Sequence, residues 1–147
     1  MDRFEESCAL LNQAFQEVTR WLGRELADRL AAEGVTPAQF FLMHQIGEND
    51  SLTVSDAARM MGVTLSAVTL LADRLHAAGW LARHRDEQDR RIVRMTLTET
   101  GVAKLAQLES RRTDLMRQCL ACLSQEDMER LLEIFTRLAA GTGVCSC

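Results

Sequence analysis

The sequence predicts a mainly α-helical fold with a small β wing (α+β), in which a winged helix-turn-helix lobe is carried between long N- and C-terminal dimerisation helices. Three observations predict it. From Thr53 to Gly101 the chain reads as helix, tight turn, helix, strand, arginine-tipped loop, strand and helix start. Within that run Ala58, Gly62, Val68 and Leu71 stand where a helix-turn-helix requires a small residue at the helix contact, a flexible turn and two inward apolar anchors. On either side of it, long stretches carry apolar stripes at helical spacing.

At 147 residues the chain is expected to form one domain, long enough to bury a core without disulfide or metal staples. Within it, 36–98 is the winged helix-turn-helix lobe, 1–34 and 99–141 are dimerisation helices, and 142–147 is a flexible cysteine-containing tail.

The first helix is expected over about 4–32, because Phe4, Cys8, Leu11, Phe15, Val18 and Leu22 recur at steps of four and three and form one apolar stripe. Gly34 ends it. Thr36, Pro37 and Gln39 then supply an N-cap, a first-turn proline and a capping-box partner, with Val35 placed to staple onto the new helix. That second helix, through about Asn49, carries Phe40, Phe41, Leu42, Met43 and Ile46 around most of its circumference and is therefore buried. Thr53 caps the third helix and Thr64 the fourth, and Gly79 is the left-handed residue that stops the fourth.

Two short strands follow, joined by the loop DEQDRR, which is the wing. In the second strand Val93, Met95 and Leu97 alternate with Arg94 and Thr96, the period of a sheet with one buried face. Thr98 or Thr100 begins a fifth helix running to about Leu123, and Ser124 with Asp127 caps a sixth that ends near Gly141. The fifth helix bears two apolar seams. Leu105, Leu108, Arg112, Leu115, Cys119 and Cys122 line one, while Val102, Ala106, Met116, Leu120 and Leu123 line the other. Two seams require two partners, and a second copy of the chain is the simplest second one.

The net charge of −4 taken alone argues against a nucleic-acid ligand, but its distribution argues for one. From Val54 to Thr96 seven arginines face five acids, a local charge of +2, which leaves −6 on the remainder. Every basic residue except Lys104 is arginine, the better side chain for forked contacts to phosphates and bases. Thr64, Leu65, Ser66 and Thr69 fall at or near the N-terminal end of the fourth helix on its outward side, where short side chains reach base edges in the major groove. Arg74, one turn on, suits a phosphate. Arg90 and Arg91 at the wing tip suit the minor groove, with Asp89 orienting Arg91, while Arg83 and Arg85 on the preceding strand add backbone contacts.

These features resemble the MarR family of transcriptional regulators, named for multiple antibiotic resistance. The resemblance covers nearly the whole chain and rests on the helix order, on VTLSAVTLLADRLHAAGWLARH, and on Asp89-x-Arg91 followed by Leu97-Thr98-x-x-Gly101. It implies the same wing roles for Asp89 and Arg91, a homodimer, and a double-stranded, pseudo-palindromic operator. Leu70 departs from the pattern, since the family often places a basic or polar residue there. Specificity is therefore expected to lean on the wing and on DNA shape.

The resemblance also implies an effector pocket between the dimer helices and the DNA-reading lobe, typically for phenolic or other lipophilic anions. Trp21, Phe40, Met43 and His44 are the aromatic, soft or titratable residues near that junction. The cysteines offer a second mode of control. Cys119-x-x-Cys122 puts two sulfurs on one side of a helix, Cys145-x-Cys147 ends a glycine-containing tail, and Cys8 lies on the first helix; such thiols pack, pair on oxidation, or bind a soft metal. A peroxide-sensing branch of the family uses a first-helix cysteine supported by tyrosines, and this chain has no tyrosine. No cofactor is demanded; a small phenolic or lipophilic effector and a thiolate-bound metal are the ligands the sequence admits.

The expected function is a homodimeric, sequence-specific DNA-binding regulator, a repressor released by a small-molecule, thiol-redox or metal signal, and not an enzyme. Two other classes remain: a winged-helix protein-interaction module without DNA binding, and a thiol-redox protein using Cys119-x-x-Cys122. The latter motif falls late in a helix, away from the N-terminus that stabilises thiolates. With no apolar run approaching ~18 residues and a charged first segment, a cytoplasmic protein with no membrane partner is expected.

Overall fold

Local capping chemistry sets the boundaries of nearly every element. The computed structural model describes residues 2–142, so Cys145 and Cys147 lie outside it. In order come α1 (Arg3–Ala32), α2 (Pro37–Asn49), β1 (Leu52–Thr53), α3 (Val54–Met61), α4 (Leu65–Ala77), β2 (Leu81–Arg85), β3 (Val93–Leu97), α5 (Glu99–Leu120) and α6 (Gln125–Thr142). Thr36, Thr53, Thr64 and Thr98 each accept a hydrogen bond from the backbone N–H three residues on, and Thr36 with Gln39 completes a reciprocal capping box. Ser124 caps α6 in the same way through the Asp127 N–H.

Three helices end alike. Gly34, Gly62 and Gly79 all have positive φ, and the next residue's N–H reaches back to close the turn: Val35 to the Leu30 carbonyl, Val63 to Ala58 and Trp80 to Leu75. The Gly62 turn leaves only Val63 and Thr64 before α4 begins, and α3 and α4 meet at 112°. That is the helix-turn-helix angle.

The sheet is antiparallel in the order β1-β3-β2. β1 was not expected from the sequence, since two residues carry no period; it exists because Leu52 and Thr53 pair with Met95 and Arg94. In the hairpin, Leu81 pairs with Leu97, Arg83 with Met95 and Arg85 with Val93. Val93 departs from the expected buried face and is exposed, whereas Met95 is fully buried. The hairpin leaves the helical body as it extends, so burial fades from Leu81 to Arg85 on β2 and from Met95 to Val93 on β3.

α2 runs through the core, with Phe40, Leu42, Met43 and Ile46 packed among Leu30, Val68, Leu75, Leu81, Met95 and Leu108. Phe41 is the exception on that helix and is exposed. The end of α1 is tied to α5 by Glu33, whose carboxylate accepts hydrogen bonds from Lys104 (3.1 Å), Gln107 (2.9 Å) and Arg111 (3.2 Å). The Lys104 hydrogen bond, joined by Arg111, holds the Glu33 carboxyl below its ordinary value. Among the described residues, only one seam of α5 is buried. Leu105, Leu108 and Leu115 are buried, but Val102 and Met116 are exposed. Residues 2–20 are exposed throughout, including Phe4, Leu11, Phe15 and Val18, and α6 buries none of its residues. Thr142, expected in the tail, closes α6.

Candidate nucleic-acid interface

α4 divides its faces by burial. Val68, Ala72 and Leu75 point into the core, which turns Ser66, Leu70 and Arg74, at i, i+4 and i+8, outward. Leu65 and Thr69 form a neighbouring exposed row. Two of the hydroxyls also serve the helix: Thr64 accepts from the Ala67 N–H at 3.2 Å, and Thr69 donates to the Leu65 carbonyl at 2.9 Å. Thr64 therefore retains a hydroxyl proton for an outside acceptor, and Thr69 retains lone pairs for an outside donor. Leu65 and Leu70, at 55% and 52% exposure, set two bare apolar side chains among these polar ones.

The wing is built on two aspartates. Asp86 Oδ1 accepts from the backbone N–H groups of Gln88 (2.8 Å) and Asp89 (3.1 Å), which fixes the turn, and Asp86 Oδ2 accepts from Arg94 Nε at 2.6 Å, which closes its root. Asp89 repeats the device at the tip. It accepts from the Arg91 backbone N–H (3.0 Å) and, through both oxygens, from Arg91 Nε (3.1 Å) and Nη2 (3.2 Å). The Arg91 side chain is thus held in a bidentate fork while remaining 91% exposed.

The Arg94 guanidinium, helped by the two backbone N–H groups, lowers the Asp86 carboxyl from 3.8 to about 2, and Arg91 lowers Asp89. A carboxyl whose pKa falls on folding stabilises the fold above its unfolded value, here 3.8, and that stabilisation is lost as pH falls through about 2. The wing should accordingly stay ordered at pH 4. A titration followed by the Gln88 and Asp89 amide resonances is expected to show a midpoint near 2; a midpoint at 3.8 or above would contradict the Asp86 network.

The arginines of the lobe fall into two groups. Arg59, Arg83, Arg91 and Arg94 pair with Asp56, Asp73, Asp89 and Asp86, respectively. Arg74, Arg85 and Arg90 have no carboxylate partner among the described residues. Sequence reasoning singled out neither Asp73 nor Asp86, which engage arginines ten and eight positions away, across a strand or the hairpin. The only available signal was the interleaving of acids within a basic segment.

The residues expected around an effector come together in part. Phe40 and Met43 are buried in the core, and His44 stacks on Phe40 with centroids 6.3 Å apart and planes 13° apart. Arg112 lies over the other ring, 5.6 Å from the Phe40 centroid. His44 Nδ1 is buried, 3.4 Å from Glu109 Oε1 but without hydrogen-bond geometry. Trp21 is half-buried on α1. None of these four lines either surface groove, one of about 300 Å³ at Arg29, Ala32, Glu33 and Arg111, the other of about 500 Å³ along the wing from His84 to Gln88 and Arg94.

Among the cysteines, Cys8 and Cys122 are exposed and Cys119 is half-buried, all with free thiols. Cys122 Sγ turns back to the Cys119 carbonyl at 3.8 Å. Cys145 and Cys147 lie outside the described residues, among which no group of three potential ligands has gathered. No single described helix is long and apolar enough to cross a membrane.

Comparison with known proteins places these features in context. A family model described as the MarR family matches residues 35–93. The HTH-type transcriptional repressor MdtR of Bacillus subtilis is 36% identical over 115 residues, spanning 78% of this chain and 74% of that protein. A MarR family protein from Bacillus stearothermophilus superposes with a TM-score of 0.85 at 25% identity, covering 97% of this chain and 99% of the other. A mutant of MarR from Escherichia coli, solved in complex with operator DNA, superposes with a TM-score of 0.69 at 26% identity, covering 94% and 99%.

Proposed function

The chain belongs to the MarR family of transcriptional regulators, and from that premise we propose that it is a homodimeric repressor that binds a pseudo-palindromic operator. The N-terminal turn of α4, with Thr64, Leu65, Ser66 and Thr69, enters the major groove, and Arg90 with the Asp89-held Arg91 enters the minor groove. Arg74 and Arg85 grip phosphates. The observation that carries this reading is the wing tip. A guanidinium forked by its own aspartate yet 91% exposed has been ordered in advance for an external ligand, and it stands beside Arg90, which has no carboxylate partner among the described residues. The operator-bound E. coli relative, similar over 94% of this chain, supports DNA as the ligand.

Dimerisation is supported by the apolar surface that the single chain leaves uncovered. Phe4, Leu11, Phe15 and Val18 on α1, Val102 and Met116 on α5, and Leu132, Ile134, Phe135 and Leu138 on α6 are all exposed. Isolated helices of ~15 residues are marginal in water, so α6, with no buried residue, takes its stability from outside the chain. A second copy packed on α1, α5 and α6 supplies that cover and sets two recognition helices about one DNA turn apart. Release follows when an effector binds one spacing of those helices better than the other.

Salt dependence tests the proposal. Arg74 and Arg85 on each protomer reach phosphates and release counterions, so the logarithm of affinity should fall with the logarithm of salt at a slope of roughly −4 for a dimer. Fluorescence anisotropy on a duplex enriched from a random pool measures it. A flat response would instead favour a winged-helix protein-interaction module, the reading that exposed Leu65 and Leu70 support.

A further inference from the structure

We propose that Arg83 is a positioning residue that locks the recognition helix to the wing, with Asp73 as its obligatory partner. The inference rests on the DNA-binding reading and replaces the phosphate contact expected of Arg83 from the sequence.

The two reading elements, α4 and the β2–β3 hairpin, are joined firmly only near their junction. There Leu75 and Leu81 are buried in the core and His76 Nδ1 lies 2.8 Å from the Leu81 carbonyl oxygen. Beyond Leu81 β2 leaves the core; β1, between α2 and α3, steadies the far edge of the hairpin at Met95 and Arg94, and the β2 edge, next to α4, needs a tie of its own. Arg83 is two residues further out. Its Nη2 donates to Asp73 Oδ1 at 2.6 Å and lies 3.5 Å from the Thr69 carbonyl oxygen, so one guanidinium spans a full turn of the recognition helix.

Exposure agrees with this role. The Arg83 side chain is 30% exposed against 91% for Arg91, so the first is occupied by the protein and the second is presented to solvent. Charge agrees as well. An unpaired Asp73, itself 55% exposed on a helix that approaches phosphates, would repel DNA, and Arg83 neutralises it. A lysine is a poorer substitute, because its ammonium ends a shorter, flexible four-carbon stem, whereas the rigid guanidinium sets Nη2 against both oxygens.

The two roles for Arg83 predict opposite signs for one substitution. If Arg83 contacts phosphate, Asp73→Asn removes a competing negative charge and tightens binding. If Arg83 positions, Asp73→Asn loosens the helix against the wing and weakens specific binding. The experiment selects a duplex from a random 30-base-pair pool with the wild-type protein. It then measures affinity for that duplex and for a scrambled one, at several salt concentrations, with wild type, Asp73→Asn, Arg83→Lys, Arg83→Ala and the Asp73→Asn/Arg83→Lys double variant.

The expected result is a loss of about tenfold in the selected-to-scrambled ratio for each single variant, no further loss in the double variant, and an unchanged salt slope. Tighter binding by Asp73→Asn, additive losses, or an Arg83→Ala slope reduced by about 0.9 per protomer would overturn the proposal in favour of a phosphate contact. Asp73 is on the surface, so Asp73→Asn decides the matter even if a variant at Arg83 misfolds. If the wild-type protein enriches no sequence, the DNA-binding reading itself fails; enrichment followed by tighter Asp73→Asn binding removes this inference alone.

Discussion

Arg91→Ala is expected to weaken binding to a selected operator duplex by about 30-fold or more while leaving the fold and the dimer intact. The side chain is 91% exposed and its only partner among the described residues is Asp89, so nothing in the core depends on it. On the proposed docking, what disappears is a minor-groove contact on each protomer. Contacts of this kind are worth on the order of 1–3 kcal/mol each, and a two-fold dimer loses two of them. Asp89 is then left without the cation that held its carboxyl low, and it adds an uncompensated negative charge beside the phosphates. Arg91→Lys keeps the charge but lacks the fork, and should fall between wild type and Arg91→Ala. Anisotropy titrations alongside sedimentation would show the effect; binding within threefold of wild type would remove the wing from the mechanism.

Gly101→Ala is expected to be the most damaging small substitution in the chain, lowering stability by about 3 kcal/mol and the melting temperature by roughly 10 °C. A Cβ at Gly101 would stand 2.0 Å from the Trp80 carbonyl oxygen, 2.8 Å from its carbon and 3.1 Å from its Cα. All three are backbone atoms, and no rotamer change relieves them. The same junction is fastened by the Thr98 and Thr100 hydroxyls, 2.6 and 2.9 Å from the Gly79 carbonyl oxygen, and by the Thr98 N–H donated to Trp80 O at 3.1 Å. Relief therefore has to separate α5 from the root of the wing. Gly47→Ala is the control, since its Cβ would meet side-chain tips alone, that of Leu105 at 2.9 Å, which can turn away, and that of Leu97 at an ordinary 3.8 Å. Differential scanning calorimetry would distinguish them; a Gly101→Ala midpoint within 2 °C of wild type would refute the close approach.

The parts of the fold that were legible in the sequence are those made by near neighbours. Thr36 with Gln39, Thr53, Thr64, Thr98 and Ser124 each act across three residues, and the glycines at 34, 62 and 79 act on the carbonyls just behind them. The Asp89 to Arg91 fork spans two residues. β1 was not legible, because its existence depends on Met95 and Arg94 more than forty positions away. Nor was the exposure of Val93, whose alternation with Met95 is correct for a strand but says nothing about how far the hairpin outruns the core.

By itself, then, the sequence determined the order and ends of the helices, the turn between α3 and α4, and the forked arginine at the wing tip, because each follows from hydrogen bonds between groups a few bonds apart along the chain. Only the tertiary structure decided which arginines are tied to acids on other elements or across the hairpin. Arg83 and Arg94 are bound to Asp73 and Asp86, while Arg74, Arg85 and Arg90 are left without such partners among the described residues. Pairing of this kind depends on distances through space between residues on different elements, and a count of charges along the chain contains no such distances.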